Sequence, residues 1–462
     1  MSAKTVTCFE RSDQYRREVH SRIPGGTHTY SKGDDQFPEL SPAAIARGSG
    51  GRVWDLDDNE YVDCGLGLGA VSLGHAYGPI LEAVTEQLSL GSSFSRPAAI
   101  ELDFANDFLT LVPGADRVKF ARSGSAVTTA AVKLARAYTG RDLVAFPINQ
   151  PFFSYDDWFV GSTLSNAGVP KSIQRLSVQY DSTQPETLQD LFTAHPGQIA
   201  CVITEPQDVI PVDADVVREV DRITHREGAV FILDEMVTGY RGGLPGLGPV
   251  LSLEPDLVTW GKSIGNGFSA CALTGRADIM DLGGIEQEHS SKVFLISTTH
   301  GGEAHTLAAG RAVLKEYQKH DVLGHQWMIV EAIYDAFRIS ISKHGLEEHI
   351  EVYSSGWRLI CVCKEEGDVS PALRTLLMQE MIGRGVLFAG YFLPCFAHNE
   401  RDVEAITQAF DAACEVCAQG ISSGVRTLLI GPPTRPVFRR FNRCIGLCPK
   451  NPCPHMGTCQ VT

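Results

Sequence analysis

Ala229-Val-Phe-Ile-Leu233-Asp234-Glu235 is the stretch on which the fold turns. Five apolar residues ended by two acids suit a strand buried on both faces of a mainly parallel sheet. Working outward, Leu143-Val-Ala-Phe146, Ile199-Ala-Cys-Val-Ile-Thr204 and Leu257-Val-Thr-Trp260 are runs of the same kind. Between them lie helical patterns, with Val127, Ala131, Leu134, Ala135 and Tyr138 on one face of a predicted helix over 127–138. From about Gly65 strand and helix alternate, which predicts an α/β core. Past about Gly310 come longer helical stretches, a strand near Trp357–Lys364 and a helix over Val403–Ala418, the pattern of a second, smaller domain. Toward the N-terminus, residues 8–22 read as a polar helix broken by Pro24-Gly25-Gly26. Arg52-Val-Trp-Asp55 and Glu60-Tyr-Val-Asp63 flank a polar turn and read as a hairpin.

The chain has 462 residues, 43% apolar and 21% charged, enough to bury a large core. Its net charge of −15 repels phosphate backbones and anionic lipid, so nucleic-acid and membrane-surface partners are disfavoured. The apolar runs are too short to span a bilayer, and Met1–Arg22 has no apolar signal core. A cytoplasmic enzyme is the expectation. Most of the 13 cysteines are scattered singly, as buried small hydrophobes are, and no disulfide framework is expected in the body.

Three segments carry chemistry. Ser123-Gly124-Ser125-Ala126 stands directly before the 127–138 helix, whose N-terminus offers unpaired N–H groups to a phosphate. By itself this is also how an ordinary N-cap reads. Asp234 ends a buried parallel strand, where α/β sheets place ligands, and a carboxylate there needs a cation or donor to meet it. A helix-capping Asp is the plainer alternative. In Trp260-Gly-Lys262-Ser-Ile-Gly-Asn-Gly267 a lysine follows a strand among glycines, away from the solvated helix faces lysines favour. Desolvation there would lower its basicity and make the amine nucleophilic toward an aldehyde. A surface-loop lysine is the plainer alternative when the segment is read by itself.

Together these segments follow the order and spacing of one family. The sequence resembles the class III (fold type I) pyridoxal-phosphate (PLP) aminotransferases, in particular their glutamate-1-semialdehyde aminomutase branch. The likeness also rests on Ile23-Pro-Gly-Gly26, Trp54-Asp-Leu-Asp57, Leu73-Gly-His75, Leu134-Ala-Arg136, Glu205-Pro206, Thr238-Gly-Tyr-Arg241 and Thr298-Thr299 with Gly301-Gly302. It spans residues from about 20 to about 440. It implies a large, mainly parallel-sheet PLP domain over 65–309, with a smaller α+β domain built from 1–64 and 310–440, and a tail over 441–462. Lys262 would hold the cofactor as a Schiff base and shuttle a proton, and Asp234 would pair with the pyridine N–H. Glu205 would lie near the ring and its 3-oxygen. Ser123, Gly124 and Ser125 would bind the phosphate, joined by Thr299 of the neighbouring subunit, so the resemblance implies a homodimer with shared active sites.

The substrate side departs from that pattern. Phe152-Phe153-Ser154 stands where the family reads Tyr-His-Gly, so Phe152 can stack on the ring without the phenol. Ala126 and Leu68 replace an acid and a tryptophan of the aminomutases. Lys32, within His28-Thr-Tyr30-Ser-Lys32-Gly33, replaces the arginine that grips the aminomutase substrate carboxylate. A point charge in place of a bidentate fork is not conservative. Tyr30 and Lys32 are therefore the candidate substrate residues of a rebuilt pocket. The segments 28–33 and 431–440 resemble a branch associated with sugar and secondary-metabolite amination.

The expected activity is transfer of an amino group from a glutamate-like donor to a carbonyl acceptor, such as a keto-sugar or secondary-metabolite intermediate. An intramolecular aminomutase is the alternative. A PLP-fold binding partner without turnover is a third reading, against which the intact Lys262 and Asp234 weigh. Cys444, Cys448, Cys453, His455 and Cys459 could ligate zinc, but their spacing is no regular CxxC pair, and a Pro-rich extension is the plainer reading.

Overall fold

A computed structural model describes residues 8–208, 211, 213–286 and 291–442. The chain forms two compact units, one of residues Gly67–Leu73 and Tyr77–Leu323, the other of Met1–Leu66, Gly74–Ala76 and Gly324–Thr462.

The first unit is built on a seven-stranded sheet. Its strands are β1 (Arg117–Ala121), β2 (Leu143–Pro147), β3 (Ser177–Tyr180), β4 (Ile199–Thr204), β5 (Val230–Asp234), β6 (Leu257–Trp260) and β7 (Cys271–Gly275), in the order β1-β7-β6-β5-β4-β2-β3. β2 to β6 run parallel, while β7 is antiparallel to both neighbours. Every residue of β2, β4, β5, β6 and β7 is buried, which is why those runs carry no polar alternation. Helix α1 (Gly124–Thr139) starts where Ser123 Oγ accepts the Ala126 N–H at 3.3 Å. It ends on Gly140, whose left-handed backbone gives its N–H to the Arg136 carbonyl. Its buried face, Val127, Ala130, Ala131, Leu134 and Ala135, packs on the sheet.

The second unit has its own core. The predicted hairpin forms at Arg52–Asp55 and Glu60–Asp63, extended by Ile45–Ser49 on one side and by Val386–Leu387, parallel, on the other. A second sheet pairs Ile350–Ser354 with Leu359–Glu365, and the helix Glu400–Ser423 packs Phe410, Cys414 and Cys417 into the core with Phe337. Phe337 and Phe410 stack at 3.5 Å between centroids. Of the described cysteines only Cys8 is exposed, and all are free thiols. No helix among the described residues is long and apolar enough to cross a membrane.

Candidate active site

The sheet pairing brings Asp234 and Lys262 to neighbouring strand ends. Asp234 ends β5 and pairs in register with Thr259 of β6, so Lys262 follows its partner by three residues. The Asp234 carboxylate is 2% exposed, and it accepts the Met236 N–H and the Thr259 hydroxyl, each at 2.9 Å. Burial pushes its pKa up to about 6, against the pull of those donors and of Lys262. The Lys262 ammonium is shifted the other way. Burial lowers its pKa, the Glu205 and Asp234 carboxylates support the charge, and the Arg241 guanidinium opposes it. An amine so placed holds a larger free-base fraction than a surface lysine.

Lys262 also has a left-handed backbone, with φ of 49°. For a residue with a Cβ this costs roughly 1 kcal/mol, and such strain gathers at functional sites.

Glycine and methionine lock the three segments against one another. A Cβ on Gly124, the first residue of α1, would meet Met236 Sδ at 3.0 Å. A Cβ on Gly261 would meet the same sulfur at 2.6 Å and Cys271 Sγ at 2.9 Å. Met236, two residues past Asp234, therefore sits between the α1 N-terminus and the lysine turn. No larger residue fits at either glycine without displacing it.

At the helix end, Ser125 Oγ accepts the Tyr155 N–H at 3.1 Å, which leaves the hydroxyl proton to be donated. Thr128 Oγ1 donates to Phe153 O at 2.9 Å, and Trp158 Nε1 donates to Thr129 Oγ1 at 2.8 Å, fastening the Phe152 loop onto α1. Phe152 is 48% exposed and meets Phe159 edge-on at 5.7 Å, whereas Phe153 is buried. Glu205 follows β4, its N–H bonded to Gln150 Oε1 at 2.7 Å. A buried carboxylate, an amine of lowered basicity, a helix N-terminus and an open aromatic ring together suit an aromatic aldehyde that carries a phosphate.

Other predicted residues lie elsewhere. Thr299 is exposed in a loop of the first unit, beside Thr298 Oγ1, which donates to His300 O at 2.6 Å. Tyr30 and Lys32 belong to the second unit, in one 3₁₀ turn, and both are exposed. Cys444, Cys448, Cys453, His455 and Cys459 lie outside the described residues. Among the described residues no group of three or more His, Cys, Asp or Glu could hold a metal.

Sequence reasoning missed Thr259, Met236, Cys271 and Gln150. Thr259 had a signal, a hydroxyl inside an apolar run. Glu235, adjacent to Asp234, turns the other way: fully buried, it accepts the Thr238 hydroxyl and the N–H groups of Leu247 at 3.1 Å and Gly248 at 2.6 Å.

The family model described as aminotransferase class-III matches residues 33–413. The glutamate-1-semialdehyde 2,1-aminomutase of Aeropyrum pernix is 30% identical over 441 residues, covering 91% of this chain and 99% of the relative. That of Laribacter hongkongensis is 32% identical over 328 residues, covering 67% and 75%. Among solved structures, a transaminase with PLP bound superposes with a TM-score of 0.82 at 22% identity, covering 90% of this chain and all of that one. A glutamate-1-semialdehyde aminomutase from Pseudomonas aeruginosa gives 0.78 at 21%, covering 89% and 95%. At such identities the structural likeness is one of fold.

Proposed function

This chain belongs to the class-III aminotransferase family, PLP-dependent enzymes acting on small molecules, and we propose that it moves an amino group from a glutamate-like donor to a carbonyl acceptor. The observation that carries the reading is the placement of Asp234, buried at the end of β5 and in register with Thr259, three residues before Lys262, where each charge supports the other. The cofactor supplies an aldehyde carbon for the amine and an aromatic ring that takes up electrons. In this proposal Lys262 Nζ would hold that carbon and, as a free amine, would serve as general base toward the donor's α-proton. Asp234 would pair with the ring N–H, Glu205 would lie near the ring and its 3-oxygen, and Phe152 would stack on it. The Gly124 and Ser125 N–H groups and the Ser123 and Ser125 hydroxyls would bind the phosphate.

We further propose a cytoplasmic homodimer in which Thr299 reaches the neighbouring subunit's phosphate. Its exposed loop supports this, as do the exposed apolar residues Leu90, Phe94, Leu102, Ile285 and Phe294 of the same unit. Lys32 and Tyr30 would meet the acceptor, for which a keto-sugar or secondary-metabolite intermediate is the candidate class. Lysine in place of a bidentate arginine supports an acceptor other than the aminomutase substrate.

The relatives' own name favours a second reading, intramolecular transfer. Incubation of the holoenzyme with ¹⁵N-L-glutamate and a panel of keto-sugars separates the two. Label appearing in an aminated sugar supports the transaminase. Conversion of glutamate-1-semialdehyde with no donor present, and no label transfer, supports the mutase.

A further inference from the structure

β2 ends on Pro147, which has no N–H to give its neighbour, and the β2–β4 register stops at Ala145 opposite Val202. Three residues later a side chain takes over the pairing. The Gln150 amide, 4% exposed, accepts the Glu205 N–H at 2.7 Å and donates to the Glu205 carbonyl at 3.1 Å. Thr204 Oγ1 also reaches Gln150 Oε1, at 3.3 Å. One primary amide thus makes the two bonds that a backbone neighbour would have made, at the point where β4 delivers Glu205.

The orientation of that amide is fixed from outside. Asp208, also buried, accepts Gln150 Nε2 at 2.6 Å and the Ser182 hydroxyl on its other oxygen. A carboxylate only accepts, so Nε2 must face Asp208, and Oε1 is thereby turned to the Glu205 N–H. Pro151 then leads directly from Gln150 to Phe152. The same clamp therefore ties the aromatic loop to the strand end that carries the acid.

We propose that Gln150, oriented by Asp208, is a positioning residue that holds the Glu205 carboxylate beside Lys262. The proposal rests on the reading of Lys262 and Glu205 given above. The charges that act most on Lys262 are those of Glu205, Asp234, Arg241 and Cys271, and Glu205 comes first among those that support its ammonium. Releasing Glu205 removes a negative charge from the nitrogen that Lys262 shares with the cofactor, so that nitrogen loses its proton at lower pH.

The test uses PLP-loaded wild type, Gln150→Ala, Gln150→Glu and the pair Gln150→Glu/Asp208→Asn. In each the pH midpoint of the cofactor's visible band, the PLP dissociation constant and the melting temperature are read. In Gln150→Ala the midpoint should fall by about half a unit and PLP binding weaken about tenfold. Gln150→Glu keeps an acceptor for the Glu205 N–H but faces Asp208 with like charge. The pair restores the donor–acceptor match between residues 150 and 208, though the Glu205 carbonyl still lacks its donor, and should move the midpoint part of the way back toward wild type. If Gln150→Ala does not fold, the two glutamate variants carry the same comparison. A lower melting temperature with an unmoved midpoint and unchanged PLP affinity would make Gln150 structural only and overturn the proposal. A wild type that shows no visible band with PLP would instead overturn the reading of Lys262, and this proposal with it.

Discussion

Asp234 makes a prediction whose size follows from its burial. With the carboxyl pushed up to about 6, a proton competes with the cofactor for the same oxygen atoms in the free enzyme. Only the ionised form can pair with a ring N–H, so affinity for PLP is lost as pH falls through 6. The loss is small at pH 8, about twofold at pH 6 and about tenfold at pH 5. Asp234→Asn replaces a charge-assisted bond by a neutral one and should weaken binding at pH 8 by about ten- to a hundredfold. The variant has no step of its own near pH 6. Apoenzyme titrated with PLP from pH 8 to 5, followed by quenching of tryptophan fluorescence, gives both curves, and the cofactor's own ionisations are common to the two. The curves should converge toward pH 5; parallel curves would refute the assignment. The same shift makes an ionised Asp234 costly to the apo fold. The folded pKa lies above the unfolded value, so apo stability falls as pH rises from about 4 to 6, by roughly 3 kcal/mol in all.

Three further outcomes are expected. Lys262→Ala should abolish the visible cofactor band and turnover while leaving the melting temperature near that of the wild-type apoenzyme, measured by absorbance and calorimetry. Gly261→Ala should cost about 1–3 kcal/mol and weaken PLP binding, because the added methyl strikes Met236 and Cys271; a chemical melt that matches wild type would contradict this. His225 bridges Asp221 at 2.7 Å and Asp256 at 3.3 Å, and the hydrogen bonds its ring donates to those two carboxylates raise its pKa to about 10. Its stabilisation is therefore complete below about 6.5 and lost as pH rises through about 10. Because the ring is 38% exposed, His225→Gln should cost only about 1–2 kcal/mol at pH 7, and the gap should close at high pH in paired thermal melts.

The sheet core was legible because its strands are buried on both faces. The run 199–204 forms β4 over those same residues, and 229–233 differs from β5 by one position at each end. Likewise α1 could be placed by its face and by the Ser123 cap. What no local pattern announces is strand direction: nothing in Cys271–Gly275 marks it as antiparallel to its neighbours. Nor does spacing separate Asp234 from Glu235, two adjacent buried acids with different partners. Gln150 was equally hidden, because its role depends on Asp208, 58 residues away, and on a ladder broken by Pro147. Lys262 and Asp234 stood out because a lysine among glycines and an acid ending an apolar strand both break the ordinary burial rules.

The central claim is that Lys262 and Asp234 hold PLP for amino transfer, and an absorbance spectrum of the PLP-loaded protein before and after L-glutamate tests it most directly. The account predicts a visible band that glutamate bleaches into the near ultraviolet as the amino group passes to the cofactor, and that a keto acid restores. No visible band after incubation with PLP would contradict it.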